Sequence, residues 1–279
     1  MSKHGSSYHR NTQLVALGRD PKRDCGSVNP PVHRTSTVIF SDYETFHAYE
    51  QGKNAHRGYG RYGSPTTDGL EQALAELEGA DHAILTASGL AAITTSLLAF
   101  LNAGDHILIP DSVYSSARHF ILHELPRFGV EVEFYEPTIG AGIAALLKDN
   151  TRVVYCESPG SNTFEMQDIP AIAKAAHARG AIVMADNTWA TPLLQRPFAL
   201  GIGISIHSAT KYIAGHSDLV MGAVLCHAEH YKILNRAHRN LGAVVSGDNA
   251  YLALRGLRTI AVRMEQHYRH AMEVAHWLE

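Results

Sequence analysis

The sequence predicts an α/β fold, with a mostly parallel seven-stranded sheet and helices on both faces. Two observations carry that prediction. From Asp68 onward, short apolar runs alternate with stretches of helical apolar spacing. The chain is also long enough, at 279 residues with 45% hydrophobic, to bury a sizeable core.

Residues 1–66 lack clear periodicity and are rich in Gly, Pro, Ser, Arg and His. They read as an extended arm with one apolar stretch, Thr37-Val38-Ile39-Phe40. Leu70, Leu74 and Leu77 then fall at helical spacing and stop at Gly79. A strand at 82–86 leads into an Ala/Leu-rich helix at about 90–101. A strand at 106–110 precedes a helix through Arg118 and Leu122. A strand at 131–135 precedes a helical stretch at 143–147, and one at 152–157 precedes a helix at 169–178. Strands at 181–186, 204–207 and 223–226 complete the set. From about Glu229 the pattern is helical, with a long helix from Asp248 interrupted near Gly256. Such a sheet is covered on both faces and binds ligands beyond the carboxyl ends of its strands.

Composition narrows the function. Charged residues are 18% and the formal net charge is −3, so no strong field points to nucleic acid or an anionic membrane. No apolar run reaches the length of a membrane span, and Met1-Ser2-Lys3-His4-Gly5 lacks the apolar core of a secretory leader. Cys25, Cys156 and Cys226 are far apart, fit neither a disulfide framework nor a zinc site, and suit a reducing cytosol. None of the 18 histidines sits in an HExxH arrangement, so no metal is expected.

The residues just after the strands carry the chemistry. Ser208-Ala209-Thr210-Lys211-Tyr212 follows a strand. A lysine there, with hydroxyls just before it, can join a pyridoxal phosphate (PLP) aldehyde as a Schiff base while the hydroxyls bind its phosphate. Ser88-Gly89-Leu90 opens a helix, where free amides make an anion site; an ordinary N-cap serine is the plainer reading. Tyr114 could stack on an aromatic ring or simply be a core or surface residue. Asp186, in Asp186-Asn187-Thr188-Trp189, could hold a pyridine nitrogen protonated or cap a turn. These features lie on one edge of the sheet, and together they favour one site.

Two patterns mislead. Gly58-Tyr59-Gly60-Arg61-Tyr62-Gly63 matches G-x-G-x-x-G, but polar residues precede it and no apolar helix follows directly, so a nicotinamide cofactor is rejected. A basic, aromatic, glycine-rich loop can still bind phosphate, including in a neighbouring subunit. Ser88-Gly89 is not a nucleophile elbow, because Thr86 holds the first glycine position.

These residues resemble the Cys/Met-metabolism family of PLP enzymes, which have PLP-dependent transferase fold type I, the aspartate-aminotransferase-like fold. The matching segments are Tyr59-Gly60-Arg61, Ser88-Gly89-Leu90, Glu157-Ser158-Pro159-Gly160-Ser161, Asp186-Asn187-Thr188-Trp189-Ala190, and Ala209-Thr210-Lys211-Tyr212 with Gly215-His216-Ser217-Asp218. The resemblance implies that Lys211 carries the cofactor, Asp186 pairs with its ring nitrogen and Tyr114 stacks on the ring. It further implies that Ser88, Gly89, Leu90, Ser208 and Thr210 hold the phosphate, with Tyr59 and Arg61 supplied to it by an adjacent subunit. A homodimer or homotetramer follows from that.

Ser115 after Tyr114, Ser161, Trp189-Ala190 and His216-Ser217-Asp218 are like the β-lyase side of the family. The implied reaction is β-elimination from an amino-acid thioether: cystathionine gives homocysteine, pyruvate and ammonia, in cytoplasmic methionine biosynthesis. In that reaction Lys211 takes the Cα proton, and Lys211 or Tyr114 gives one to the leaving sulfur. The alternatives are a γ-lyase, γ-synthase or sulfhydrylase of the same family, or a catalytically incomplete PLP-binding fragment. The implied organisation is an N-terminal arm at 1–66 contributing to the neighbouring subunit, a PLP-binding domain at 67–256, and the start of a truncated C-terminal domain at 257–279. That further domain is expected to supply the arginine for the substrate α-carboxylate, a role no arginine here takes by motif.

Overall fold

The computed structural model describes residues 9–53 and 57–279. The leader reading at Met1–Gly5 lies outside them, as do parts of the arm reading.

Helix α1 (Arg10–Ala16) opens the described chain, and α2 (Tyr43–Glu50) follows, its first turn capped by the Asp42 carboxylate. Helix α3 (Pro65–Glu78) starts with Ser64 and Thr67 in a reciprocal capping box, has proline at its first position and ends at Gly79. Then β1 (His82–Thr86), α4 (Gly89–Phe100), β2 (His106–Pro110), α5 (Ser115–His123) and β3 (Glu131–Tyr135) alternate. They are followed by β4 (Thr151–Glu157), α6 (Ile169–His177), β5 (Ile182–Asp186), the short α7 (Thr191–Leu194), β6 (Ile204–His207) and β7 (Gly222–Cys226). Helices α8 (Ala228–Leu241), α9 (Gly247–Leu257) and α10 (Ile260–Leu278) end the chain.

The seven strands form one sheet in the order β1-β7-β6-β5-β4-β2-β3. Strand β7 runs antiparallel to both neighbours, and the remaining pairs are parallel. Alternate residues face opposite sides. Ile107, Ile109, Val153, Tyr155, Met184, Ile204 and Ile206 pack towards α4, α5 and α8. On the other face Leu108, Val154, Cys156, Val183 and Ala185 pack towards α6, while Ala83, Leu85, Ala223 and Leu225 pack towards α3 and α9. The mostly parallel arrangement places the carboxyl ends of β2, β4, β5 and β6 along one edge.

Four departures from the sequence reading have physical causes. The arm is not wholly extended: α1 and the residue that caps it bury Leu14 and Leu17 in one core cluster with Leu70, Leu74 and Leu254. Seven residues are too few to display a helical period, and tertiary burial stabilises this helix. The boundary expected at residue 66/67 falls inside α3, which begins at Pro65 because Ser64 caps it. That same helix opens two residues after Gly63, so the glycine-rich loop is followed by a helix after all. What separates it from a dinucleotide site is that, among the described residues, no strand precedes it, only an isolated bridge between Thr37 and Tyr59. The stretch at 143–147 is a 3-10 turn over Gly140–Ala145 rather than an α-helix.

The break near Gly256 lies at Arg258–Thr259. Gly256 itself is fixed by close approach, since a Cβ there would sit 2.1 Å from the Ala214 carbonyl oxygen. That contact seats α9 against the loop that follows Lys211. No helix among the described residues is long and apolar enough to cross a membrane.

Candidate active site

An open cleft of about 1320 Å³ runs along the carboxyl edge of the sheet. Ser88, Gly89, Leu90, Tyr114, Asp186, Ser208, Thr210 and Lys211 all line it. The structure thus brings together every sequence-predicted residue except Tyr59 and Arg61.

The first part of the cleft is an anion cradle. Helix α4 begins at Gly89, and the Ser88 hydroxyl accepts from the Ala91 amide at 3.0 Å, so Ser88 is an N-cap as well as a wall of the cleft. The amides of Gly89 and Leu90 have no intrahelical acceptor at this position. Ser208 packs directly on them: a Cβ at Gly89 would lie 2.5 Å from the Ser208 Cβ. Glycine is therefore the residue that lets the loop and the helix N-terminus close together. The Thr210 hydroxyl donates to the Met221 carbonyl at 3.1 Å and accepts from the Met221 amide at 3.0 Å. It fixes the turn carrying Lys211, and to donate to a phosphate its single proton would turn from the Met221 carbonyl while the oxygen still accepts from the Met221 amide.

The second part is a carboxylate floor. Asp186 ends β5, and Glu157, its register partner, ends β4. Thr188 joins β5 to the lysine loop: its amide donates to Asp186 Oδ1 at 2.9 Å, its hydroxyl bonds the same carboxylate, and its Oγ1 accepts from the Ser208 amide at 2.7 Å. Glu157 Oε2 accepts from the Tyr114 amide at 2.9 Å, which positions Tyr114 at the start of α5. Burial pushes both carboxyls up in pKa, and the neighbouring Asp186 charge adds to the rise at Glu157, which reaches about 8. The Thr188 bonds and the charge of His207 oppose that rise at Asp186, whereas Glu157 has only the Tyr114 amide to oppose its own. The Tyr155 hydroxyl is buried close to this pair with no hydrogen-bond partner among the described residues, and burial, with both carboxylates, pushes its pKa up.

The third part is the mouth. Lys211 is exposed on the wall, Tyr114 is 41% exposed, and Phe164 meets Trp189 edge to face with ring centroids 6.2 Å apart.

These donors fit PLP. A phosphate dianion matches the helix N-terminus with Ser208 and Thr210 beside it. A protonated ring nitrogen matches the buried carboxylate of Asp186, whose register partner is a second acid, Glu157. A primary amine and an aromatic face are present in Lys211 and Tyr114.

Tyr59 and Arg61 are elsewhere. Arg61 donates to the Arg239 carbonyl at 2.6 Å and to the Tyr62 hydroxyl at 3.2 Å, and its guanidinium lies 4.6 Å from the Tyr62 ring centroid. Tyr59 is 44% exposed. Neither lines the cleft of its own chain.

Sequence reasoning passed over Glu157 and Thr188 as site residues. Glu157 is the last residue of a strand, so the strand-end rule that found Asp186 points to it equally. Thr188 was hidden because its role depends on a bond across to Ser208.

Comparison with known proteins places this cleft in context. The family model described as "Cys/Met metabolism PLP-dependent enzyme" matches residues 11–279. A protein of Rhizobium johnstonii described as a putative cystathionine beta-lyase is 51% identical over 96% of this chain and 67% of its own length. Cystathionine beta-lyase MetC of Escherichia coli is 41% identical over 96% of this chain and 69% of its own. An L-alanine/L-glutamate racemase of Wolbachia pipientis is 42% identical over 95% of this chain and 68% of its own. Among solved structures, metB from Corynebacterium glutamicum superposes with a TM-score of 0.91 at 33% identity, over 98% of this chain and 69% of that one. The chain spans about two thirds of the length of each.

Proposed function

The chain belongs to the Cys/Met-metabolism PLP-dependent enzymes, and from that premise we propose that it is a carbon–sulfur lyase that cleaves cystathionine by β-elimination to homocysteine, pyruvate and ammonia. The fold is PLP-dependent transferase type I, and the cofactor is PLP. The observation that carries the reading is the convergence of Lys211, Asp186, Tyr114 and the α4 N-terminus on one cleft.

When bound, the cofactor supplies an electron-withdrawing ring that acidifies the Cα–H of an amino acid. Lys211 Nζ holds it covalently when no substrate is present. The first-turn amides of α4, Ser208 and Thr210 hold its phosphate; Ser88 shapes that turn. Asp186, its charged form favoured by the Thr188 bonds, holds the proton on the ring nitrogen. Tyr114 covers the ring face, oriented through its amide by Glu157.

Once released, Lys211 Nζ takes the Cα proton as general base. The Cβ–S bond then breaks, its electron pair stays with sulfur, and Lys211 or Tyr114 donates a proton to that sulfur. The carbon fragment loses ammonia to water and becomes pyruvate. Tyr59 and Arg61 serve the phosphate site of an adjacent subunit in a homodimer or homotetramer, and the protein works in cytoplasmic methionine biosynthesis.

The test is product identity: pyruvate and homocysteine in equal amounts from cystathionine support the reading, and 2-oxobutyrate would move the chemistry to γ-elimination. A second reading has a specific support. The racemase relative implies that proton removal at Cα can end in reprotonation. Incubation with L-alanine in deuterated water distinguishes the two, because a racemase releases deuterated D-alanine.

A further inference from the structure

Behind the carboxylate floor, on the opposite face of the sheet, lies a buried polar cluster that the reaction does not touch. Glu78 ends α3, and its side chain is fully buried. Its Oε1 accepts from Asn187 Nδ2 at 2.7 Å and pairs with His207 Nε2 at 2.9 Å. His207 is 1% exposed and Asn187 not at all. A carboxylate held away from water without charge compensation is very costly, so its pairing with a buried imidazole calls for a cation at His207.

The cluster's place matters. His207 is the last residue of β6, immediately before Ser208 and four residues before Lys211. Asn187 is the residue after Asp186, and its amide donates to the Ile206 carbonyl at 2.8 Å. One oxygen of Glu78 therefore ties together the ends of β5 and β6, the two strands that present Asp186 and the lysine loop on the front. The charged groups facing His207 are Glu78 from α3 and Asp186 from β5, with Arg10 of α1 beyond, acting on Glu78.

We propose that Glu78 and a protonated His207 are positioning residues, a charge-balanced brace that fixes the β5–β6 edge and keeps Asp186 ionised and in place for the cofactor ring. Burial pulls the imidazole's pKa down, but the charge and hydrogen bond of Glu78, with the charge of Asp186, outweigh it and raise it. The positive imidazole in turn favours the ionised form of Asp186. The proposal rests on the reading that Asp186 meets the ring nitrogen.

The test compares Glu78→Gln, His207→Gln, the double variant and Asp186→Asn. PLP affinity of the cofactor-free protein and the pH midpoint of the bound cofactor's absorbance are measured for each. Each single brace variant should weaken PLP binding at least about tenfold and shift the midpoint. The double variant should be no worse than either single one, since it removes both charges together. Unchanged affinity and midpoint in the brace variants, with Asp186→Asn impaired, would overturn the brace and leave the role of Asp186 standing. An unimpaired Asp186→Asn would overturn both. Should the single variants fail to fold, imidazole ¹⁵N shifts of the wild-type protein decide. A doubly protonated His207 at pH 7.5 upholds the proposal, and a neutral ring contradicts it.

Discussion

Two acids at neighbouring strand ends, Asp186 and Glu157, differ in their hydrogen bonds: Asp186 accepts from Thr188 and Glu157 from the Tyr114 amide. Burial resists the charge of both, and at Glu157 the folded pKa reaches about 8 against an ordinary 4.5. A raised acid favours the fold fully below the unfolded value and loses that contribution as pH rises through the folded one. Cofactor-free wild type should therefore lose stability between about pH 4.5 and pH 8. Glu157→Gln, which cannot ionise, should lose less. Thermal melts at pH 5 and pH 8 check this: the gap in favour of the variant should widen at the higher pH, and a constant gap would contradict the raised pKa of Glu157. Lys211→Ala tests the neighbouring claim. It should abolish both turnover and the absorbance of covalently held PLP, and retention of either would contradict the role given to Nζ.

At the scale of elements, the cradle depends on how closely α4 meets the loop after β6. Gly89→Ala would place a methyl 2.5 Å from the Ser208 Cβ, where nothing flexible can yield. The expected cost is about 1–3 kcal/mol in stability, with a larger proportional loss of PLP affinity, because the amides that receive the phosphate shift first. Chemical denaturation and PLP titration separate the two effects. Helix α1 provides a different case. Its Leu14 is 1% exposed within the core of α3 and α9. Leu14→Ala should cost about 2–5 kcal/mol, read by the same denaturation. A loss below about 0.5 kcal/mol, the scale of a neutral surface change, would mean that α1 is not part of the core.

For the whole molecule, the claim is that the site is shared between chains. Tyr59 and Arg61 lie away from their own cleft, so Lys211→Ala and Arg61→Ala variants should complement each other. Each alone is inactive or weak, whereas mixed oligomers hold some sites with both native residues. Recovery of activity after co-refolding supports the arrangement, and additivity of the two separate activities contradicts it.

Much of this was legible in the sequence for a definite reason. Strand ends in a parallel sheet converge, so Ser88, Tyr114, Asp186 and Lys211 could be placed on one edge from alternation alone. Contacts between distant segments were not legible. Nothing local ties Glu78 to His207 across 129 positions, or Thr188 to Ser208 across two strands. Helix α1 was missed because its stability comes from Leu70 and Leu254 rather than from its own seven residues.

The most direct test of the central claim is the keto acid released when this chain, loaded with PLP, is given cystathionine. The account predicts pyruvate, formed in step with homocysteine. Release of 2-oxobutyrate, or of no keto acid while PLP is bound, would contradict it.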